Sequence, residues 1–304
     1  MRENNRQRKF SNALLQWYSR QGRILPWRNI SDPYRILVSE IMLQQTQVSR
    51  VLVKYPAFLR RFPTLRSLAR ARQRDVVVAW RGMGYNNRAV RLHKFAQEVM
   101  NAHKGRIPGA AESLLSLPGI GRYTAHAILS SAFGKHVPVV DVNVRRVLSR
   151  IFWRMRSAPE MREDSEIWEC ARSLLPKAKA YTFNQALMDL GATICTARRP
   201  FCESCPVAEF CMSRSTVHRG KLGLRKPERS RDGIPNRIYR GRIVEELRGE
   251  EGSLSVAVLH KRVGGHLRSN SSPWFESLLV GLQKDGLIRI RGNGSAGGKR
   301  VSLA

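Results

Sequence analysis

Acidic residues are scarce in this chain: 23 Asp and Glu stand against 54 Lys and Arg over 304 residues, a formal net charge of +31. Such a chain repels itself unless a polyanion is near, so nucleic acid is the first partner class to consider and an anionic membrane surface the second. Long apolar runs are missing too. No stretch approaches the roughly 18 residues of a spanning helix, and the basic start Met1–Phe10 lacks the apolar segment of a secretory signal. A cytoplasmic protein with no membrane partner is expected. Cysteine is rare: five residues, four of them within 195–211, which is not a secreted disulfide framework. Strand-like alternation is scarce before residue 212, and no solenoid-length repeat occurs.

What remains is helical. The windows 34–47, 88–100, 122–133 and 142–152 carry apolar residues at helical spacing. Asp32-Pro33 is a good helix start, with Asp at the cap and Pro in the first turn. Composition shifts after Cys211. Residues 214–242 hold ten Lys or Arg and two acids, and the first part is rich in Gly, Ser and Pro, which reads as a basic linker over 213–234. Periodicity then returns. Helices are expected at Arg237–Arg248, Leu254–Arg262 and Pro273–Asp285. Strands are expected at Leu287–Arg291 and Arg300–Leu303, joined by the Gly-rich turn Gly292–Gly298. Three helices and a hairpin are the order of a winged helix, expected over 235–304. Such modules contact DNA or protein, and the basic linker favours DNA.

The cysteines Cys195, Cys202, Cys205 and Cys211 form a C-x6-C-x2-C-x5-C pattern. Thiolates suit zinc or iron–sulfur centres. Zinc sites often show two C-x2-C pairs and this stretch has one, which favours a cluster without settling the matter by spacing alone. Either centre would fix a loop carrying Arg198 and Arg199 toward phosphate. Cys170, inside a helical pattern, reads as core packing.

Three further features carry chemistry. Leu117-Pro118-Gly119-Ile120-Gly121 lies between helices. Gly119 and Gly121 allow a tight turn, and the free N–H groups of the following helix are a phosphate seat. In isolation the match is an ordinary helix–helix turn. Glu40 sits inside Pro33–Gln47 on the stripe of Ile36, Leu37 and Leu43. It is either a surface carboxylate at the stripe's edge or a buried general acid with a raised pKa. Asp141 follows Val137-Pro138-Val139-Val140 and opens a helix. A helix cap explains it, and a capping carboxylate also stays charged and in place.

Glu40 within Ser39-Glu40-Ile41-Met42-Leu43-Gln44-Gln45-Thr46, the hairpin, Asp141 and the four cysteines occur in one order. That order resembles the helix-hairpin-helix DNA glycosylases with a [4Fe–4S] cluster, over about residues 12–212. Within them the chain is most similar to the adenine-mismatch (MutY) branch, through Leu25-Pro26-Trp27-Arg28, Met42-Leu43-Gln44-Gln45-Thr46-Gln47-Val48, Gly82-Met83-Gly84-Tyr85 and the stretch Phe183 to Ala192. The resemblance implies a mainly α, two-lobed glycosylase domain over 1–212, with its cluster loop at 195–211. It implies a monomer that takes duplex DNA and removes adenine mispaired with 8-oxoguanine or guanine. Glu40 would protonate the departing base, and Asp141 would stabilise the sugar cation or bond to it transiently. Trp27, Arg28, Gln185 and Asn143 would line the base pocket, and Gln44 and Gln45 would probe the gap in the duplex. Tyr123 stands where the endonuclease III branch has a Schiff-base lysine, which implies a hydrolase without true lyase activity.

Two departures stand out. The common family form has a larger C-terminal domain that checks for 8-oxoguanine, and Val142 stands between Asp141 and Asn143 where glycine is usual. A thymine- or uracil-mismatch glycosylase of the same fold is the second reading, although Gln44-Gln45 is replaced in that branch. A non-catalytic DNA-binding protein is the third, and intact Glu40 and Asp141 argue against it.

Overall fold

The computed structural model describes residues 2–154, 163–217, 228–264, 272–292 and 298–304. Much of the expected linker and the middle of the Gly292–Gly298 turn lie outside the described residues. The chain forms two compact units, Met1–Leu37, Gly109–Leu115 and Ile120–Arg225 in the first, and Val38–Pro108, Ser116–Gly119 and Lys226–Ala304 in the second.

The elements run α1 (Arg2–Gln21), α2 (Pro33–Leu43), α3 (Val48–Arg61), α4 (Leu65–Arg70), α5 (Gln73–Ala79), α6 (Asn87–Ala102), α7 (Ala111–Leu115), α8 (Arg122–Ala132), α9 (Val142–Trp153), α10 (Asp164–Ser173) and α11 (Ala180–Asp189). A π-turn at Leu190–Ile194 leads into the cysteine loop. Then come strands β1 (Ser230–Arg231) and β2 (Ile234–Pro235), α12 (Asn236–Arg248), β3 (Leu254–Ser255), α13 (Val256–Gly264), α14 (Ser272–Lys284), β4 (Ile288–Arg291) and β5 (Arg300–Leu303).

Local chemistry sets the helix starts. Asp32 Oδ1 accepts from the N–H groups of Tyr34 (2.8 Å) and Arg35 (3.2 Å), as its Asp-Pro start predicts. Thr64 and Ser67 form a reciprocal capping box at α4. In the first unit Phe10 of α1 gathers the core. Its ring meets Phe152 of α9, Phe183 of α11 and Phe210 edge-on at 5.5, 6.3 and 6.0 Å. Such contacts add to the burial of large rings. Cys170 packs against this core, as expected.

The second unit joins residues far apart in sequence. Val77 of α5 and Val90 of α6 share one core with Tyr239, Leu247, Phe275, Leu282 and Ile288 of the C-terminal segment. Polar ties reinforce it. Arg248 donates to Val77 O (3.1 Å) and Asn86 Oδ1 (2.8 Å), and Gln73 donates to Gly286 O (2.6 Å). The C-terminal strands pair antiparallel in the order β3-β5-β4, with Leu254 opposite Val301 and Ile290 opposite Val301 on the other side.

Three expectations need correction. The helix expected over Pro33–Gln47 ends at Leu43, because Gln45 turns left-handed at φ 56°. The helix expected from Leu254 begins at Val256, because Leu254 and Ser255 are taken by pairing with β5. The expected linker contains a small hairpin, β1–β2, turned by Asp232 (φ 49°) and Gly233 (φ 73°). Asp-Gly is a strong hairpin signal that the basic composition obscured.

Tyr239 is fully buried at the centre of the second unit's core. Tyr239→Ala is expected to cost about 3–5 kcal/mol, read as a lower urea midpoint. Because Val77 and Val90 share that core, the signal of residues 38–108 should fall in the same transition; a separate, unshifted transition for them would show two independent cores.

Candidate active site and nucleic-acid interface

Asp141 caps α9. Its Oδ1 accepts from the backbone N–H of Asn143 (2.9 Å) and Val144 (2.7 Å), and its Oδ2 accepts from Asn143 Nδ2 (2.7 Å). Three N–H groups thus fix a half-buried carboxylate in one orientation. The support continues outward. Arg146 donates through Nη2 to Asn143 Oδ1 (2.9 Å) and Gly191 O (2.7 Å), and through Nε to Cys195 O (2.9 Å). Asp141, Asn143, Arg146 and the first cysteine of the loop are one chain of hydrogen bonds. Asn143, expected in a base pocket, holds the carboxylate. The approach is close: a Cβ on Gly191 would lie 2.8 Å from Asn143 Cβ, so only glycine fits there.

Asn184 of α11 fixes the segment that leads into Asp141. Its Oδ1 accepts from Val139 N (3.1 Å), and its Nδ2 donates to Val137 O (2.9 Å) and Ser130 Oγ (3.1 Å). Gln185 beside it and Trp27 in the α1–α2 loop are both buried. Tyr123, in the first turn of α8, sets its hydroxyl 4.0 Å from Met188 Sδ. Gly121 caps α8, and open space surrounds it.

Arg28 has a task that spacing did not reveal. Its guanidinium grips Asp189 with two bonds, Nη1 to Oδ2 (2.8 Å) and Nη2 to Oδ1 (2.6 Å), and Nη1 also reaches Arg23 O (2.9 Å). Arg23 adds two bonds to the same carboxylate. Asp189 is 0% exposed. Burial opposes its charge, but the Arg28 and Arg23 bonds outweigh burial and hold the carboxyl below the usual carboxylate range.

The four cysteines line one apolar cavity with Ile151, Leu190, Ile194 and Val207. Burial pushes the Cys205 thiol up to about 12, and raises Cys202 and Cys211 as well. Such thiols become thiolates only when a metal centre supplies positive charge. Among the described residues no three His, Cys, Asp or Glu side chains could hold a single metal ion. All four cysteines face one cavity, as the ligands of a single centre must. Arg150 braces the loop, donating to Thr196 O (2.7 Å), Ala197 O (3.1 Å) and Cys195 Sγ (3.4 Å). Arg198 and Arg199 stand exposed beyond it.

In the second unit Glu40 is half-buried on α2, between buried Ser39 and Ile41. Arg88 organises the turn that follows. Nη1 donates to Ile41 O (2.8 Å), Met42 O (2.9 Å) and Gln44 O, and Nη2 to Thr46 Oγ1 (2.9 Å), Met83 O (3.1 Å) and Gly84 O (3.2 Å). One side chain thus takes up the end of α2 and the Gly82–Tyr85 loop. Burial lowers its pKa to about 10, so it stays charged at neutral pH. It presents exposed Gln45 (φ 56°) and Tyr85 (φ 42°), both left-handed without being glycine; such strain gathers at functional positions. Gln44 is half-buried in the same turn. Gly119 (φ 80°) closes the hairpin turn, where a Cβ would lie 3.1 Å from Arg91 Cβ.

Residues 38–172 match the model of the HhH-GPD superfamily base excision DNA repair protein, and residues 195–211 match the iron-sulfur binding domain of endonuclease III. A thermostable thymine-DNA glycosylase of known structure is similar at a TM-score of 0.65 and 32% identity, covering 72% of this chain and 99% of that one. The helix-hairpin-helix glycosylase fold and a [4Fe–4S] loop over residues 195–211 follow from these matches. The adenine DNA glycosylase of Mycobacterium tuberculosis is 41% identical over 251 residues, 81% of each chain. The human adenine DNA glycosylase is 41% identical over 222 residues, 70% of this chain and 41% of its own length. This chain belongs to the adenine DNA glycosylase family. It spans about two-fifths of the length of the human relative. Among the described residues no helix is long and apolar enough to cross a membrane.

The Asp189 carboxylate contributes stability that is fully present above its unfolded-chain pKa of about 3.9 and is lost as pH falls through its lower folded value. Asp189→Asn is expected to lose about 3 kcal/mol at pH 7, with the gap to the parent protein closing below about pH 3. Urea midpoints across pH measure this; a gap that stays constant would assign the effect to shape rather than charge.

Proposed function

We propose that this protein is a monofunctional base-excision repair glycosylase that hydrolyses the N-glycosidic bond of adenine mispaired with 8-oxoguanine or guanine in duplex DNA. The observation that carries this reading is the Asp141 carboxylate, held by three N–H groups at the start of α9 and tied through Asn143 and Arg146 to the cysteine loop. Family membership supplies the substrate class.

A base must leave the stack before its glycosidic bond can be reached. Glu40 then acts as the general acid, giving a proton to the adenine ring so that it departs neutral. As the bond breaks, positive charge grows on the sugar. Asp141 meets it with a fixed negative charge that needs no reorientation, the electrostatic arrangement that lowers such barriers most. Glu40 helps position the attacking water. Tyr123 has no amine and forms no Schiff base, so strand cleavage does not follow excision. Trp27, Gln185 and Asn143 border the base pocket, and Arg28 shapes it through Asp189. Gln44 and Gln45 enter the gap in the duplex, while Gly119, Gly121, Arg198 and Arg199 meet phosphates. The [4Fe–4S] cluster, when bound by the four cysteines, supplies a structural anchor for that loop.

The domain reading is a glycosylase domain over 1–212, a basic connection over 213–234 and a winged helix over 235–304. Support for the last is the order helix, strand, helix, helix, hairpin and the β3-β5-β4 pairing. The same reading has the protein act as a monomer in the cytoplasm, where reducing conditions suit thiolate ligands. Thymine or uracil excision is the second reading, favoured by the 32% identity to a thymine-DNA glycosylase.

Duplexes with one A opposite 8-oxoguanine, A opposite G, T opposite G or U opposite G, treated with alkali after incubation, decide between them. Breaks at A are expected. Breaks at T or U alone move the protein to the second reading, and tight binding without breaks makes it a non-catalytic binder. Asp141→Asn is expected to keep DNA affinity within about threefold and lower the single-turnover excision rate by about 100-fold or more; unchanged turnover would remove Asp141 from the chemistry. Tyr123→Lys should yield a borohydride-trapped covalent adduct that the parent protein lacks, and no adduct would show that more than the amine is missing.

A further inference from the structure

The second unit contains a groove of about 780 Å³ that shares only Gln45 with the roles above. One wall is Gln45, Arg50 and the Gly82–Asn87 loop, and the other is the start of α12 with residues from the end of α14. Five arginines line it, Arg50, Arg237, Arg240, Arg242 and Arg248, against two carboxylates, Glu245 and Asp285. Three of the five pair with carboxylates, and the Arg242 guanidinium lies 5.4 Å from the Tyr239 ring centre. Arg240 pairs with Asp285, Arg248 pairs with Glu245, and Arg237 makes an exposed pair with Glu228. Among the described residues Arg50 and Arg242 pair with no carboxylate. Both are exposed.

The backbone has the same polarity. α3 and α12 both begin at this groove, carrying Arg50 and Arg237 in their first turns. Neither start has an acidic residue in its first turn or a side-chain cap. Helix N-termini carry partial positive charge and favour anions, so cations there are otherwise unfavourable. Two helix starts without side-chain caps, two arginines without a carboxylate partner and an exposed Tyr85 on one wall are the donor set of a polyanion site with an aromatic face.

We propose that this groove seats the sugar–phosphate backbone of the duplex engaged by Gln45 and Tyr85, with Arg50 and Arg242 each meeting a phosphate. The C-terminal segment thus contributes α12 to DNA binding. Its third helix, α14, spends Phe275, Leu278, Leu279 and Leu282 on the core. The proposal rests on the reading of the protein as DNA-binding but not on which base is excised, and it is tested by binding alone.

The test uses the full-length protein with its cluster and an undamaged 30-base-pair duplex, by fluorescence anisotropy at several salt concentrations. Arg50→Gln/Arg242→Gln is expected to weaken Kd about tenfold and flatten the slope of log K against log salt by about 0.9 per arginine. Arg66→Gln/Arg70→Gln on α4 removes the same charge away from the groove and should leave the slope within error. Melting temperatures check that both variants fold. Equal losses in both variants would reduce the effect to net charge and overturn the proposal. An unchanged Kd and slope in the groove variant would also overturn it, leaving an acidic protein as the groove's partner. Retained groove dependence without adenine excision would sink the excision reading and leave this proposal standing.

Discussion

A guanidinium taken out of water must have its N–H groups met by oxygen, and this chain has few carboxylates to offer. Its buried arginines therefore collect backbone carbonyls. Arg88 has six of them and one hydroxyl. Half-buried Arg146 takes two carbonyls and an amide oxygen, and buried Arg150 takes two carbonyls and a sulfur. Carbonyls are free mainly where secondary structure ends. The shortage of acids thus directs buried cations to helix ends and loops, the segments that present candidate functional residues. Arg88 holds Gln45 and Tyr85, Arg146 holds Asn143 and thereby Asp141, and Arg150 holds the loop that carries Arg198 and Arg199. Arg28 and Arg248 are the exceptions: Arg28 has the fully enclosed carboxylate of Asp189, shared with Arg23, and Arg248 pairs with Glu245. Each such fork is costly to disturb, because a buried donor without its acceptor pays the whole desolvation penalty.

The arrangement also separates what must be rigid from what must be reached. Asp141 is fixed by short bonds to its own helix, so its position depends on α9 rather than on a mobile side chain. Gln45 and Tyr85 are exposed, yet their backbones are pinned by a single charged group beneath them. Strained left-handed residues persist only where the surroundings over-determine them, and seven bonds from one guanidinium do that. Pre-organisation of this kind lowers the ordering entropy of binding, which suits the proposed entry of Gln45 into a duplex.

Much of this was legible in the chain before folding. The cysteine spacing, the hairpin glycines and the capping role of Asp141 are local patterns, and each has its proposed partners within a few residues or in one loop. The helix windows were legible for the same reason, since periodicity is local. What failed depends on distant partners. Nothing within Pro33–Gln47 says that the helix stops at Leu43 and turns left-handed at Gln45; the carbonyls freed there are met by Arg88, more than forty residues away. Leu254 and Ser255 look helical until β5 claims them. Asn184 and Arg146 carried no motif, since an Asn or Arg on a helix is ordinary until the other end of its bonds is known. Arg28 sat inside a recognised stretch, but its pairing with Asp189 joins residues 161 apart.

The least legible feature was that the C-terminal segment completes a core begun by α5 and α6. A basic stretch followed by a small periodic module suggests an appendage on a tether. Val77 and Val90 instead lie within the apolar cluster of Tyr239 and Phe275, and Arg248 binds Asn86, the residue that caps α6 next to Tyr85. Burial of these apolar surfaces and the polar ties between them oppose independent motion of the segment. An appendage of this sort need not touch the substrate to affect it. By holding Asn86 it ties the module to the residue after the Gly82–Tyr85 loop, while Arg88 binds the loop's own carbonyls. Contact and support are separable, because support acts through the loop's order and contact through charge, and only the second carries a dependence on salt.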